Sequence, residues 1–167
     1  FSLVEMSEKP PVSYNPYYSG WSINTNNISN TTCIHHPQGD IKKITLDTDS
    51  PETGNFGEGY DANTHWLVKD WETGTTEKGS SGSPLYDQNR RVIGDLSGGQ
   101  ANCANSVNDY FARLSDSWDK YSSDSEQLRH WLNFDDDDVT YLDGFDPYES
   151  FKSELDTISN FTFHDEY

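Results

Sequence analysis

The sequence predicts an all-β domain, a sandwich or barrel of short antiparallel strands, and three observations lead there. Up to about Trp118 the chain is a series of short stretches with strand character, closely spaced and separated by turn residues. Helical periodicity shows in one segment only, near residues 122–134. Tyr, Phe and Trp number 10, 8 and 5, a rich supply of the large rings that fill a small β core. The 167 residues suffice for one domain with a sizeable core, and there are no internal repeats.

Taken in order, "FSLVEM" (1–6) alternates apolar and polar residues like a strand already under way, so the chain reads as starting inside a domain. Residues 7–20, with Pro10, Pro11, Pro16 and Gly20, read as an extended connector. Trp21 to Ile28 and Thr32 to His35 are short strand candidates. Pro37-Gln38-Gly39-Asp40 marks a turn, Ile41 to Leu46 alternates as a strand, and "THWLVKDW" is another strand. In "SSDSEQLRHWLNF" a capping serine or aspartate precedes Leu128, Trp131 and Leu132 on one helical face, which predicts one short helix. The acidic run at 135–138 lacks the glycine and distal glutamate of a calcium loop and reads as a solvated loop. Residues 147–167 are polar and pattern-poor, a tail or linker.

The most informative stretch is "EKGSSGSPLYDQNRRVIGDLSGG", residues 77–99. Gly79-Ser80-Ser81-Gly82-Ser83 has the composition of a flexible linker, but Pro84-Leu85-Tyr86, a turn at Asp87 to Arg90, and Arg91 to Leu96 follow at once as a strand hairpin. A Gly/Ser cluster set against a hairpin is a structured turn, because glycine admits backbone angles that other residues resist. A serine hydroxyl is a weak nucleophile that needs a base and donors for the oxyanion formed on attack. The amides of Gly79 and Ser81 can supply those donors from such a turn. The rival G-x-S-x-G elbow fails, since residue 83 is Ser and a hairpin stands where a helix should follow.

Charge and cysteine usage exclude several classes. Eleven basic against 29 acidic residues give −18, which opposes nucleic-acid binding; the acidity reads chiefly as a solvated surface. No apolar run approaches 18 residues, so no membrane span is predicted. Cys33 and Cys103 stand 70 positions apart and match no CxxC motif. They are candidates for a disulfide with each other or with cysteines outside this chain, or two free buried thiols. His35 and His36 are neighbours on a strand and point to opposite faces, which argues against a shared metal. No metal and no cofactor are expected.

Gly79 to Pro84 resembles the nucleophile motif of chymotrypsin-like serine proteases, with Ser80 in place of the usual aspartate. The resemblance is closest to the bacterial lysyl endopeptidase branch, and "FSLVEM", "CIHHPQGDIKKI", "IGDLSGGQANC" and "LRHWLNFDDDDVTYLDGF" match that branch in order. It implies a fold of two antiparallel β-barrels with the site in the cleft between them. Residues 1–20 would end the first barrel and connect it to the second, which would span 21–146 with its C-terminal helix. The resemblance assigns Ser81 as nucleophile and the Gly79 and Ser81 amides as oxyanion hole. It makes Ser97-Gly98-Gly99 the edge that pairs with substrate backbone, and Asp109 the carboxylate that recognises a lysine side chain. It places a disulfide at the position of Cys103, joined to the N-terminal region. The general-base histidine and its aspartate fall upstream of Phe1. The expected partners are a peptide or protein substrate carrying Lys or Arg and an N-terminal barrel of the same protease, in a secreted bacterial enzyme. The alternative is a non-catalytic protease-like module that binds basic peptides.

Overall fold

The structure, a computed structural model, describes residues 1–133, 135 and 138–147. Its strands are β1 (Gly20–Ser22), β2 (Thr31–His35), β3 (Lys43–Asp47), β4 (Glu52–Gly54), β5 (His65–Asp70), β6 (Pro84–Asp87), β7 (Arg91–Gly99), β8 (Val107–Arg113) and β9 (Tyr141–Leu142). The sheet runs β3-β2-β6-β7-β8-β5-β4, antiparallel throughout this path. It curls until β3 meets the continuation of β5, where Leu46 and Thr73 exchange hydrogen bonds of 2.9 and 3.2 Å. That contact closes the β3-β2-β6-β7-β8-β5 path on itself as a barrel. β1 adds parallel to the start of β7, and β9 pairs with β1.

Side chains alternate across a strand, so a closed sheet sends every second one inward. β2 buries Thr31, Cys33 and His35. β5 buries Trp66 and Val68, β6 Leu85, β7 Ile93 and Leu96, and β8 Phe111. With Ile28 and Trp71 these make one continuous core. A second, smaller cluster of Trp21, Trp118 and Leu128 packs outside it, the two tryptophan rings 4.5 Å apart. By the same alternation Asp109, two residues before Phe111 on β8, points inward. The register of β7 against β8 shifts between Leu96 and Gly98, a bulge at Ser97.

Several elements differ from the sequence-based reading. Residues 1–6 form no strand: their alternation is real, but a strand needs a partner edge, and none of the described residues pairs with them. Strand β1 stops at Ser22 rather than running to Ile28, and β3 begins at Lys43 rather than Ile41. The predicted helix shrinks to one turn, α1 (Arg129–Leu132), without a side-chain cap. Its would-be first turn is a 3-10 turn at Asp124–Glu126, and the amides of Leu128 and Arg129 donate instead to the carbonyls of Ser117 and Trp118. Leu128 is buried as expected, whereas Trp131 is half exposed. In the acidic run Asp135 and Asp138 are exposed, and Asp136 and Asp137 lie outside the described residues, as does all but the first residue of the 147–167 segment.

Candidate active site

The turn bearing Ser81 sits at the barrel mouth, tied to two strands. Ahead of β6, the Ser83 carbonyl accepts from the Leu96 amide (2.9 Å), and the Gly82 amide donates to the Leu96 carbonyl (2.8 Å). Within the turn the Ser80 amide donates to the Glu77 carbonyl and the Ser83 amide to the Ser80 carbonyl. Gly79 and Gly82 have φ of +97° and +79°, values that a side chain would strain. The consequence lies in what is left over. Ser80, Gly82 and Ser83 all spend their amides inside the fold, while those of Gly79 and Ser81 have no acceptor among the described residues. Ser81 itself is exposed.

Asp109 lies deeper, 1% exposed. Its Oδ2 accepts from the Trp71 indole (2.8 Å) and the Thr76 hydroxyl (2.5 Å), and the Ala101 amide also donates to the carboxylate. Burial pushes its carboxyl above the usual range, and the three donors pull the other way. Among the described residues no lysine or arginine forms an ion pair with it. Gly99 faces it directly: a Cβ on Gly99 would stand 2.2 Å from Asp109 Oδ1, so only glycine leaves this approach open. Ser81, Gly98, Gly99 and Asp109 line one cavity of about 490 Å³, with Thr76 and Ala101 in its wall. Ser97 stands apart from that lining, its hydroxyl 3.1 Å from His65 Nε2. β7 pairs with β6 only as far as Asp95, so the stretch from Ser97 to Gly99 bonds β8 on one edge and leaves the other open.

The family described as "Lysyl endopeptidase, C-terminal domain" matches residues 1–112. The chain belongs to this family. A lysyl endopeptidase of Pseudomonas aeruginosa is 35% identical over 123 residues, 68% of this chain and 25% of that protein. The chain therefore spans about a quarter of the length of that relative. A solved structure, Rv3671c from M. tuberculosis in an inactive mutant form, is similar at a TM-score of 0.37, with 16% identity over 53% of this chain and 43% of that one. As a lysyl endopeptidase C-terminal domain, the chain is a serine-endopeptidase-related β-barrel.

In this lysyl endopeptidase domain none of the histidines among the described residues bonds Ser81. His35 Nδ1 is 2.8 Å from Ser80 Oγ, His36 bonds the Asp40 carbonyl, His65 bridges Thr64 and Ser97, and His130 meets Gln127 and Asp124. His35 is buried and His36 exposed, the opposite faces that strand geometry requires. The cysteines correct the expectation of a disulfide between Cys33 and Cys103. Cys33 is buried in the core on β2, Cys103 is exposed in the turn after β7, and both are free. Position decides this: Cys33 points into the barrel, while Cys103 sits outside against Glu77, whose carboxylate accepts its amide (3.2 Å). Sequence reasoning missed Trp71 and Thr76, which brace Asp109, and the buried pair of His35 and Ser80. It also missed Phe56 and Tyr60, whose rings pack on His65 at 5.2 and 5.4 Å. No helix among the described residues is long and apolar enough to cross a membrane.

Proposed function

We propose that this chain is the C-terminal part of a secreted serine endopeptidase that cleaves after lysine, with arginine as the second choice. Ser81 is the nucleophile, and the Gly79 and Ser81 amides receive the oxyanion. The open edge from Ser97 to Gly99 pairs with substrate backbone, and Asp109 meets the lysine ammonium. The single observation that carries this reading is the shared cavity: the exposed serine of a glycine-bearing turn and a buried carboxylate with no lysine or arginine partner among the described residues line the same space. A buried carboxylate with no cation is costly, and an incoming ammonium relieves that cost while a neutral side chain does not. Such a site discriminates by charge more sharply than an apolar pocket discriminates by size.

The proton that leaves Ser81 on attack needs a base, and the histidines of the described residues are engaged elsewhere. In this reading the base and its orienting aspartate belong to an N-terminal barrel of the same protease. The 167-residue chain by itself is then inactive or nearly so, since loss of a triad member costs about 10⁴-fold or more in rate. The pocket is testable without turnover. Titration of the chain with lysinamide and with norleucinamide, which keeps the stem and lacks the ammonium, should show binding of the first only, and Asp109→Asn should abolish it. Equal binding of both amides, or unchanged lysinamide affinity in the Asn variant, refutes the role of Asp109. Turnover of a lysyl ester that disappears in Ser81→Ala would refute the outside base.

A further inference from the structure

We infer that His35 is the positioning residue of the nucleophile turn, fixing Ser80 by a buried hydrogen bond so that the Gly79 and Ser81 amides face the cleft; this rests on the reading of Ser81 and its oxyanion donors proposed above. Ser80 is fully buried and immediately precedes Ser81. Its Oγ accepts the Glu77 amide at 3.3 Å and lies 2.8 Å from His35 Nδ1. With one acceptor site taken by the Glu77 amide, the hydroxyl keeps its proton and a second lone pair, so it bonds Nδ1 whichever ring nitrogen carries the imidazole proton. Burial holds the imidazole below its ordinary pKa, in keeping with a neutral ring.

His35 is well suited to act as a fixed point. It ends β2, which is paired with β3 as far as His35↔Lys43 and is held on its other side by β6. Just beyond it the Gln38 amide donates to the Lys78 carbonyl (2.8 Å), and Gln38 Nε2 donates to the Glu77 carboxylate (2.6 Å). Residues 35–38 thus grip 77–80 at three points. A Cβ on Gly79 would come within 3.0 Å of the Gln38 amide nitrogen, so the two segments are in close backbone contact. His35 Nε2 has no partner although it is buried. An apolar side chain would fill this place without an orphan nitrogen; what histidine adds is the bond to Ser80. That bond sets the Ser80 rotamer next to the Ser80–Ser81 peptide, which carries the Ser81 amide, while the Gln38 amide holds the carbonyl of the Lys78–Gly79 peptide, which carries the Gly79 amide.

The test uses the 167-residue chain with two ligands that share the lysine side chain. Lysinamide reports the pocket. A peptidyl lysine boronic acid adds the Ser81 oxygen to boron, releases the hydroxyl proton to solvent, and presents a tetrahedral anion to the two amides. Ser80→Ala and His35→Leu should weaken the boronate at least tenfold and leave lysinamide within twofold. His35→Gln, which keeps a hydrogen-bonding group for Ser80, should restore most of the boronate affinity. Ser80→Ala removes a single oxygen and decides the matter if His35→Leu does not fold. Equal losses for both ligands would reduce His35 to a structural role and overturn the inference. So would a wild-type chain that binds lysinamide but gains nothing from the boronate, with the pocket reading left standing. Binding of neither ligand overturns the pocket reading and this inference with it.

Discussion

Replacing Asp47 with asparagine should stabilise the domain at neutral pH and do nothing for it in acid. Asp47 ends β3 and is 4% exposed. Its Oδ1 accepts the Asp49 amide (2.8 Å), and Oδ2 receives a long bond from the Thr31 hydroxyl (3.5 Å). Burial, helped by the charges of Glu72 and Asp49, lifts its carboxyl from 3.8 to about 6 against the pull of the Asp49 amide. Carboxylate oxygens of the three acids lie within 4.8 Å of one another. The sign follows from where the proton is held more tightly. The folded state keeps it to about pH 6, whereas the unfolded chain releases it near 3.8. Below 3.8 both states are protonated and the full stability is present. As pH rises to about 6 stability is lost, and above that the loss levels off at about 3 kcal/mol. Asparagine keeps the shape and the acceptor for the Asp49 amide and cannot ionise. Urea unfolding followed by tryptophan fluorescence from pH 3.5 to 8 should show Asp47→Asn matching the parent at the acid end and gaining about 3 kcal/mol by pH 7. A pH-independent difference between the two proteins, or a variant less stable at pH 7, would refute the argument.

Gly99→Ala should abolish lysinamide binding, because the new methyl would stand 2.2 Å from Asp109 Oδ1 and 2.4 Å from the Asn108 carbonyl. It should also cost on the order of 1–3 kcal/mol in a thermal melt, the usual toll of overpacking; unchanged affinity would refute the pocket geometry. Native alkylation with iodoacetamide, read by peptide mass, should modify Cys103 and spare Cys33, whose thiol burial and the charge of Asp109 push up to about 12. The bond and charge of Glu77 hold the Cys103 thiol above its ordinary value, so Glu77→Gln should speed its alkylation; equal rates for the two cysteines in the native protein would contradict this account.

What could be read from the sequence was whatever local chemistry decides. The β6–β7 hairpin and β5 carry alternation bounded by turn residues, and both formed where alternation placed them. The Ser81 turn was legible because its glycines sit where positive φ is required. Asp109 was not legible from composition, as one acid among 29. Its place two residues before Phe111 on an alternating strand is the signal that marks it as inward-facing, and the family resemblance alone gave it meaning. The same period applied to Thr31, Cys33 and His35 would have shown a buried histidine and a buried thiol. The misses at 1–6 and at the helix share a cause. Alternation and capping residues state a preference, but a strand needs a partner edge, and the Leu128 and Arg129 amides found acceptors at Ser117 and Trp118 instead.

The closure at Leu46 and Thr73 has a kinetic side. Every other junction around the ring is a ladder of at least three register pairs, whereas this one rests on two hydrogen bonds. Opening free energies vary across a fold, and the seam with the fewest bonds is where a ring breathes first. Thr73 is three residues from Thr76, whose hydroxyl bonds Asp109, and the chain then runs through Glu77 into the turn of Ser81. A transient parting at this seam would loosen the segment that carries the carboxylate's brace and leads into the serine. Amide protons of Leu46 and Thr73 would then exchange well before those of β7 and β8, and a ligand spanning Asp109 and Ser81 would slow them by fastening the barrel shut from inside.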